Sequence, residues 1–482
     1  MAGISGGQRY RLANTLSPPF TYLEALCKSL LAVVADIEPG KVTQHDTIYD
    51  PVFGEVVEDG PNYRDVGWIG TVGLMLKTQI GLGVLSIPAA LYTVGIVPGI
   101  ILLCAVAGTA TWTSYVVGVF KQNHQEVYGM DDAGALMFGR VGREVLGLAF
   151  SLYWIFVAGS GILGLSIGLN AVSSHGACTA AFVVVAALAG FTLASIRTLG
   201  RISWIAWVGL SCIVISVLLV TIAVGVQAGP STAPPGWSSD YKLVNKPTFA
   251  EGISTVSTLI FACSATPAYF SLVAEMRDPR YFTRALVVSQ LGSTLLYAAV
   301  GVVVYYYCGT LVASPALGSA GALVKRIAYG LSIPGLLATT TILPSKYFFV
   351  RLLRGSSHLT SNSLTHWATW LGCTLGCTII AYVIASGIPV FNNLVSLIGA
   401  LLGAFLAYPP TGCMWFYDNW SLRKTTDRPW RWRLLACWNV FIIILGTFMM
   451  VAGTYGAIVG IISSWREGGG SKPWTCADNS NS

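Results

Sequence analysis

Between Leu74 and Leu91 the chain reads LMLKTQIGLGVLSIPAAL, and three of its residues do what an ordinary apolar helix cannot. Lys77 supplies an amine that can carry or release a proton. Gly81 and Gly83 weaken a helix and let its peptide groups face something other than the next turn. A second stretch, FACSATPAYF from Phe261 to Phe270, contains Pro267. Proline has no N–H to donate and clashes with a helix running through it, but it suits the first turn of a new one. A helix here is therefore expected to stop near Ala262 and restart at Pro267, with Thr266 or Ser264 as its cap. Glu275 closes the same segment in AEMRDP. A carboxylate at a helix C-terminus is unfavourable unless paired, so Glu275 is a gate candidate with Arg64, Lys121 or Arg277 as partner. The alternative is a solvated loop acid.

The elements that must hold these residues are set by composition. Of 482 residues, 54% are hydrophobic and 10% charged, against about 25% charged in a soluble domain. This is the composition of an integral membrane protein. The net charge of +7 does not indicate nucleic acid, because the basic residues sit in short loops between apolar runs. The eleven cysteines show no CxxC pair, so neither a zinc site nor a disulfide framework is expected. The run Leu26–Ile37 reads as a short amphipathic helix and not as a signal peptide.

With about 20 apolar residues needed to span a bilayer, the chain reads as eleven spans: 68–92, 94–120, 145–174, 177–196, 202–227, 251–275, 285–309, 325–350, 366–386, 390–416 and 434–464. Placing the N-terminus in the cytosol puts 21 Lys and Arg inside and six outside; the remaining one of 28 is Lys77. That asymmetry orients the chain with a cytosolic N-terminus and an extracytosolic C-terminus. Span centres in 67–227 and 251–416 match at an offset of roughly 180–190 residues. Five spans per half reverse the second half, which is the plan of a five-plus-five inverted-repeat secondary transporter. The expected domains are a cytosolic segment (1–66), a membrane domain (67–465) with an unmatched helix at 434–464, and an extracytosolic tail (466–482).

In that plan the site lies where corresponding helices are interrupted. Backbone groups freed in hydrocarbon must be satisfied by protein, water or ligand. The broken ends carry partial charges, positive at a helix start and negative at a helix end. A zwitterion meets both, with its carboxylate facing the amides of Gly81, Leu82 and Gly83 and its ammonium facing carbonyls near Ile80, Phe261 and Ser264. An α-amino acid is the expected substrate. The same glycines would also serve close helix packing. Lys77 lies about 13 Å in from Trp68, near the midplane. An ionisable group at that depth is expected to be a proton-coupling group, or a fixed cation in place of a sodium ion. A structural lysine reaching toward the cytosol is the alternative. With no other charge that deep, the side chain carried should be neutral, and Tyr153, Trp154 and Phe261 would suit large apolar ones.

Two stretches, GTVGLMLKTQIGLGVLSIP (Gly70 to Pro88) and FACSATPAYFSLVAEMRDP (Phe261 to Pro279), resemble the first and sixth helices of the amino acid/auxin permease family. A third, DPVFGEVVEDGPNYRDVGWIGT (Asp50 to Thr71), is similar to the fungal neutral amino acid permeases. The resemblance implies proton-driven uptake of neutral and aromatic amino acids, with no cofactor. It implies substrate contacts at Ile80, Gly81, Leu82, Gly83, Phe261, Ala262, Cys263, Ser264 and Ala265. Sodium-coupled relatives carry an asparagine at the position of Lys77, paired with a threonine on the eighth span. Here that span offers Thr339, Thr340 and Thr341, with Thr340 and Thr341 the ion-coupling candidates. The departure at Lys77 argues against sodium. The plasma membrane is the expected location, the vacuolar membrane the alternative.

Other classes fit less well. GSGILG (Gly159 to Gly164) and GLSIG (Gly164 to Gly168) match dinucleotide and nucleophile patterns that need a strand before a helix, and they sit inside one apolar run. The five histidines show no metal spacing. A membrane enzyme should cluster His, Asp or Glu near an interface, and a channel should lack paired breaks. An amino-acid receptor with the same fold and little transport is the strongest rival.

Overall fold

The computed structural model describes residues 49–50, 54–55, 66–195, 199–227, 233–234, 237–341, 345–353, 363–420, 430–467 and 472–480. The helix expected over 26–37, and Arg64, lie outside them. By packing, the chain divides into residues 1–50 with 55–60, and residues 51–54 with 61–482. Ahead of residue 66 only two two-residue strands are described, Tyr49–Asp50 (β1) and Gly54–Glu55 (β2).

The rest is helical. The first interrupted segment is Trp68–Gln79 (α1), a 3-10 turn at Gly83–Ser86, and Ile87–Val94 (α2). Ile96–Asn123 (α3), Met130–Ser173 (α4), Thr179–Ala194 (α5) and Leu199–Gln227 (α6) follow. The second interrupted segment is Phe249–Cys263 (α7), a turn at Thr266–Ala268, and Tyr269–Glu275 (α8). Then come Phe282–Cys308 (α9), Ala322–Thr340 (α10), Ser345–Leu352 (α11) and Leu364–Gly387 (α12). Phe391–Ile398 (α13) runs through a π-turn at Gly399–Gly403 into Ala404–Ala407 (α14) and Pro409–Asn419 (α15), and Trp430–Glu467 (α16) ends the series.

Local chemistry sets several ends. Thr248 opens α7 with a capping box: its hydroxyl accepts from the Glu251 amide, and the Glu251 carboxylate accepts from the Thr248 amide at 2.8 Å. Ser363 caps α12 by accepting from the His366 amide at 3.3 Å. In α4, Gly139 adopts φ 66°, which kinks the helix ahead of its long apolar part. Both GSGILG and GLSIG lie inside that part, in unbroken helix.

Among the described residues eight helices are long and apolar enough to cross a membrane, or nine when α1 and α2, bent by 43°, count as one. The chain is a multi-pass membrane protein. The two other runs read from the sequence are α5, only 16 residues long, and α10, which carries Lys325 and Arg326 in its first turns. The count of eleven rests on including both.

The expectation of no disulfide framework is overturned. Cys178 and Cys476 form a disulfide across 298 residues. Neither has a spacing signature, because the partners come from opposite ends of the chain and only the fold brings them together. The bond ties segment 472–480 to the ends of α4 and α5. There Asn170 Nδ2 donates to Asn479 Oδ1 at 2.7 Å and the Thr179 hydroxyl donates to the Ala477 carbonyl at 2.7 Å. Lys325 Nζ adds a bond to the Ser480 carbonyl at 2.7 Å. Closing so long a loop stabilises, by about 2–4 kcal/mol in soluble proteins. Cys178→Ser is therefore expected to lower the thermal unfolding midpoint in detergent by several degrees. Treatment of the wild type with a dithiol should reproduce the shift, and an unchanged midpoint in both would contradict a stabilising bond.

Helix α10 packs on α6 and α4, and α9 packs on α1, α2 and α3. The two interrupted segments meet each other between these groups, where α2 and its leading turn pack on α7.

Candidate functional site

A cavity of about 410 Å³ lies at the interruptions, within the roughly 300–1,000 Å³ common for small-molecule sites. From the first segment it is lined by Lys77, Thr78, Gln79, Gly81, Leu82 and Gly83. The second contributes Phe261, Ala262, Ser264, Ala265 and Pro267, and α8 adds Ser271 and Leu272. Tyr153, Trp154 and Val157 of α4 and Thr339 of α10 complete the wall. Tyr153 and Trp154 pack edge to face at 5.3 Å between ring centres. The two breaks thus present helix ends to one volume, as the dipole argument requires.

The two glycines of the first break divide the roles that were open in the sequence. A Cβ at Gly83 would sit 2.7 Å from the Ala262 Cα, so this glycine permits backbone contact between the segments. A Cβ at Gly81 would meet nothing within 4 Å, and Gly81 lines the cavity.

Lys77 lies in the last turn of α1 and faces the cavity. No hydrogen bond or ion pair to its ammonium is found among the described residues. Among the described residues, Glu275 is a charged group whose field reaches it. Burial, and then the same carboxylate, push the phenol of Tyr128, in the loop before α4, above its ordinary range. The backbone of Glu275 is held as well: Val66 N donates to the Glu275 carbonyl at 3.3 Å, and Arg277 N donates to the Val66 carbonyl at 3.0 Å. This parallel bridge fastens the entry to α1 against the exit from α8. Of the partners suggested for Glu275, Lys121 gives its amine to the Gln125 carbonyl at 2.6 Å.

Not every expected residue reaches the cavity wall. Ile80 is buried beside it, and Cys263 is buried with its carbonyl accepting from Gln79 Nε2 at 3.3 Å. Thr340 faces Gly161 and Gly190 of the neighbouring helices, and Thr341 is half-buried with its hydroxyl on the Ala338 carbonyl at 2.7 Å. The threonine on the cavity is Thr339, because consecutive helical residues turn by about 100° and only one of three can face one wall. The expected caps also differ. The second segment ends at Cys263 and restarts at Thr266, and neither Ser264 nor Thr266 caps it. The Thr266 hydroxyl instead bonds those of Ser114 at 3.1 Å and Thr113 at 3.3 Å on α3.

Two residues that sequence reasoning missed sit behind the breaks, and both bond to Gln79 on the cavity wall. Tyr297 on α9 donates its hydroxyl to the Gln79 carbonyl at 2.7 Å and the Ala262 carbonyl at 3.0 Å. One turn earlier, Ser293 donates to Gln79 Oε1 at 2.9 Å. The available signal was a hydroxyl pair at i and i+4 on one face of an apolar span, in line with a glutamine next to a break.

Comparison with known proteins bears on the family and the fold. Residues 64–459 match the family described as transmembrane amino acid transporter protein. A transmembrane transporter of Gibberella moniliformis is 34% identical over 437 residues, covering 89% of this chain and 91% of that one. The N amino acid transport system protein of Neurospora crassa is 32% identical over 433 residues, covering 88% and 91%. Among solved structures, a nucleobase-cation-symport-1 family transporter in a closed conformation with bromovinylhydantoin bound superposes with a TM-score of 0.51. It is 14% identical, over 87% of this chain and 96% of that one, and shares the fold. The chain belongs to the transmembrane amino acid transporter family.

Proposed function

We propose, from that membership, that the protein imports neutral L-amino acids, aliphatic and aromatic, by proton symport with alternating access. The observation that carries the reading is the cavity into which both interruptions open their helix ends. The carboxylate of the substrate faces the amides at Gly81 to Gly83, and its ammonium faces carbonyls at the ends of α1 and α7. Among the described residues the lining holds one charged side chain, Lys77, and no carboxylate. A cationic side chain would find no counter-ion there and would meet a like charge. Tyr153, Trp154, Phe261 and Leu272 give apolar side chains their surface.

Lys77 is the coupling group in this reading, with Thr339 taking the place first given to Thr340 and Thr341. Glu275, within reach of Lys77 electrostatically and tied by its backbone to Val66, serves the cytosolic gate. The N-terminus lies in the cytosol and residues 466–482 outside it. A disulfide at Cys178–Cys476 supports this, because such bonds persist on the oxidising side of a membrane. The plasma membrane is the proposed site of action.

The test is uptake of labelled leucine and phenylalanine into proteoliposomes, with and without an inward proton gradient, beside arginine and glutamate. Gradient-dependent accumulation of the first pair alone is expected. Binding without uptake under any ion condition would move the reading to a receptor, and sodium-dependent uptake would remove the proton.

A further inference from the structure

The buried donors on α9 do more than fill a packing defect. Gln79, Ser293 and Tyr297 are each nearly inaccessible, with 4%, 2% and 1% of their surfaces exposed. The bonds of Gln79 and Tyr297 link the two interruptions, and that of Ser293 holds Gln79 in place. Gln79 Nε2 donates across to the Cys263 carbonyl at 3.3 Å. The Tyr297 hydroxyl has one proton and two carbonyl acceptors, one from each segment: Gln79 at 2.7 Å and Ala262 at 3.0 Å. Ser293 fixes the Gln79 side chain so that its amide points at the second segment. Carbonyls released at the end of a broken helix carry negative partial charge, and two such ends converging in hydrocarbon repel unless a positive group lies between them. Here a phenolic proton and an amide hydrogen occupy that place.

We infer that Gln79, Ser293 and Tyr297 form a cross-brace that holds both interruptions as one unit, and that Ser293 and Tyr297, set back from the cavity wall, position the substrate site without touching substrate. The brace rests on the transport reading only for its kinetic consequence. Its structural consequence can be measured with no substrate present.

The experiment compares wild type with Tyr297→Phe, full chain in lipid nanodiscs, by hydrogen exchange and mass spectrometry. Exchange is expected to quicken at least tenfold in peptides covering 80–86 and 262–268 together, and to stay within about twofold elsewhere. Faster exchange at one break alone, or at neither, would overturn the inference. If Tyr297→Phe loosens the whole chain, Ser293→Ala decides. It should quicken both breaks about threefold, and wild-type exchange there would count against the brace. Ser289→Ala, a turn away on the same helix, should leave both breaks unchanged. In leucine uptake, Tyr297→Phe is expected to raise KM about tenfold with Vmax within twofold, and a collapse of Vmax at constant KM would refute positioning. A wild type that takes up no leucine speaks against transport and leaves the exchange result to judge the brace.

Discussion

Lys77→Met is expected to abolish proton-driven accumulation of leucine while leaving exchange of labelled for unlabelled leucine within a few-fold of wild type. The ammonium sits on the cavity wall at the end of α1, and no hydrogen bond or ion pair to it is found among the described residues. A group that carries a proton must have both states available, and a salt bridge would hold one of them. One pH unit across the vesicle is worth about 1.4 kcal/mol, roughly tenfold accumulation for one proton per substrate at zero membrane potential. The variant should equilibrate leucine to a ratio near unity under the same gradient. Lys77→Arg separates the two roles open to this side chain. A guanidinium does not give up its proton, so it should fail as methionine does if Lys77 carries the proton. It should preserve accumulation if Lys77 is only a fixed cation. Full accumulation by Lys77→Met would remove Lys77 from coupling altogether.

How much of this was legible in the sequence depends on whether the signal is local. Apolar runs are local, and so are helix breakers. Gly81, Gly83 and Pro267 therefore marked both interruptions, the second to within a residue of its end at Cys263. The orientation of one residue about a helix is not local. Thr339, Thr340 and Thr341 were equivalent as text, and only the packing of α10 on α4 and α6 decides that Thr339 faces the cavity. Tyr297 and Ser293 were two hydroxyls in an apolar helix. Their shared partner, Gln79, is more than 200 residues away, and a bond at that separation leaves no pattern. Cys178 and Cys476 stayed invisible for the same reason. The gate candidate Glu275 was found by its place at a helix end. Its backbone bond to Val66 needed the two segments to be side by side.

The second large effect is expected at Gly83. Gly83→Ala should cut leucine uptake roughly fivefold to a hundredfold, since overpacking a tight contact costs about 1–3 kcal/mol and 1.4 kcal/mol is tenfold. The added methyl would lie 2.7 Å from the Ala262 Cα and 2.9 Å from its Cβ. The first is backbone, so no side-chain rotation relieves it, and one segment must move off the other. Tyr297 and Gln79 bridge the segments at this level, so the displacement also lengthens their bonds. Gly81→Ala is the matched control. It places the same methyl two residues earlier, where nothing lies within 4 Å, and its protein should fold and brace as wild type does. Any loss there should appear as a higher KM, because the methyl takes cavity space, with hydrogen exchange at both breaks unchanged. Gly83→Ala should instead lose protection at both breaks. If the two variants behaved alike in exchange and in uptake, contact between the interrupted helices would not be what fixes the site.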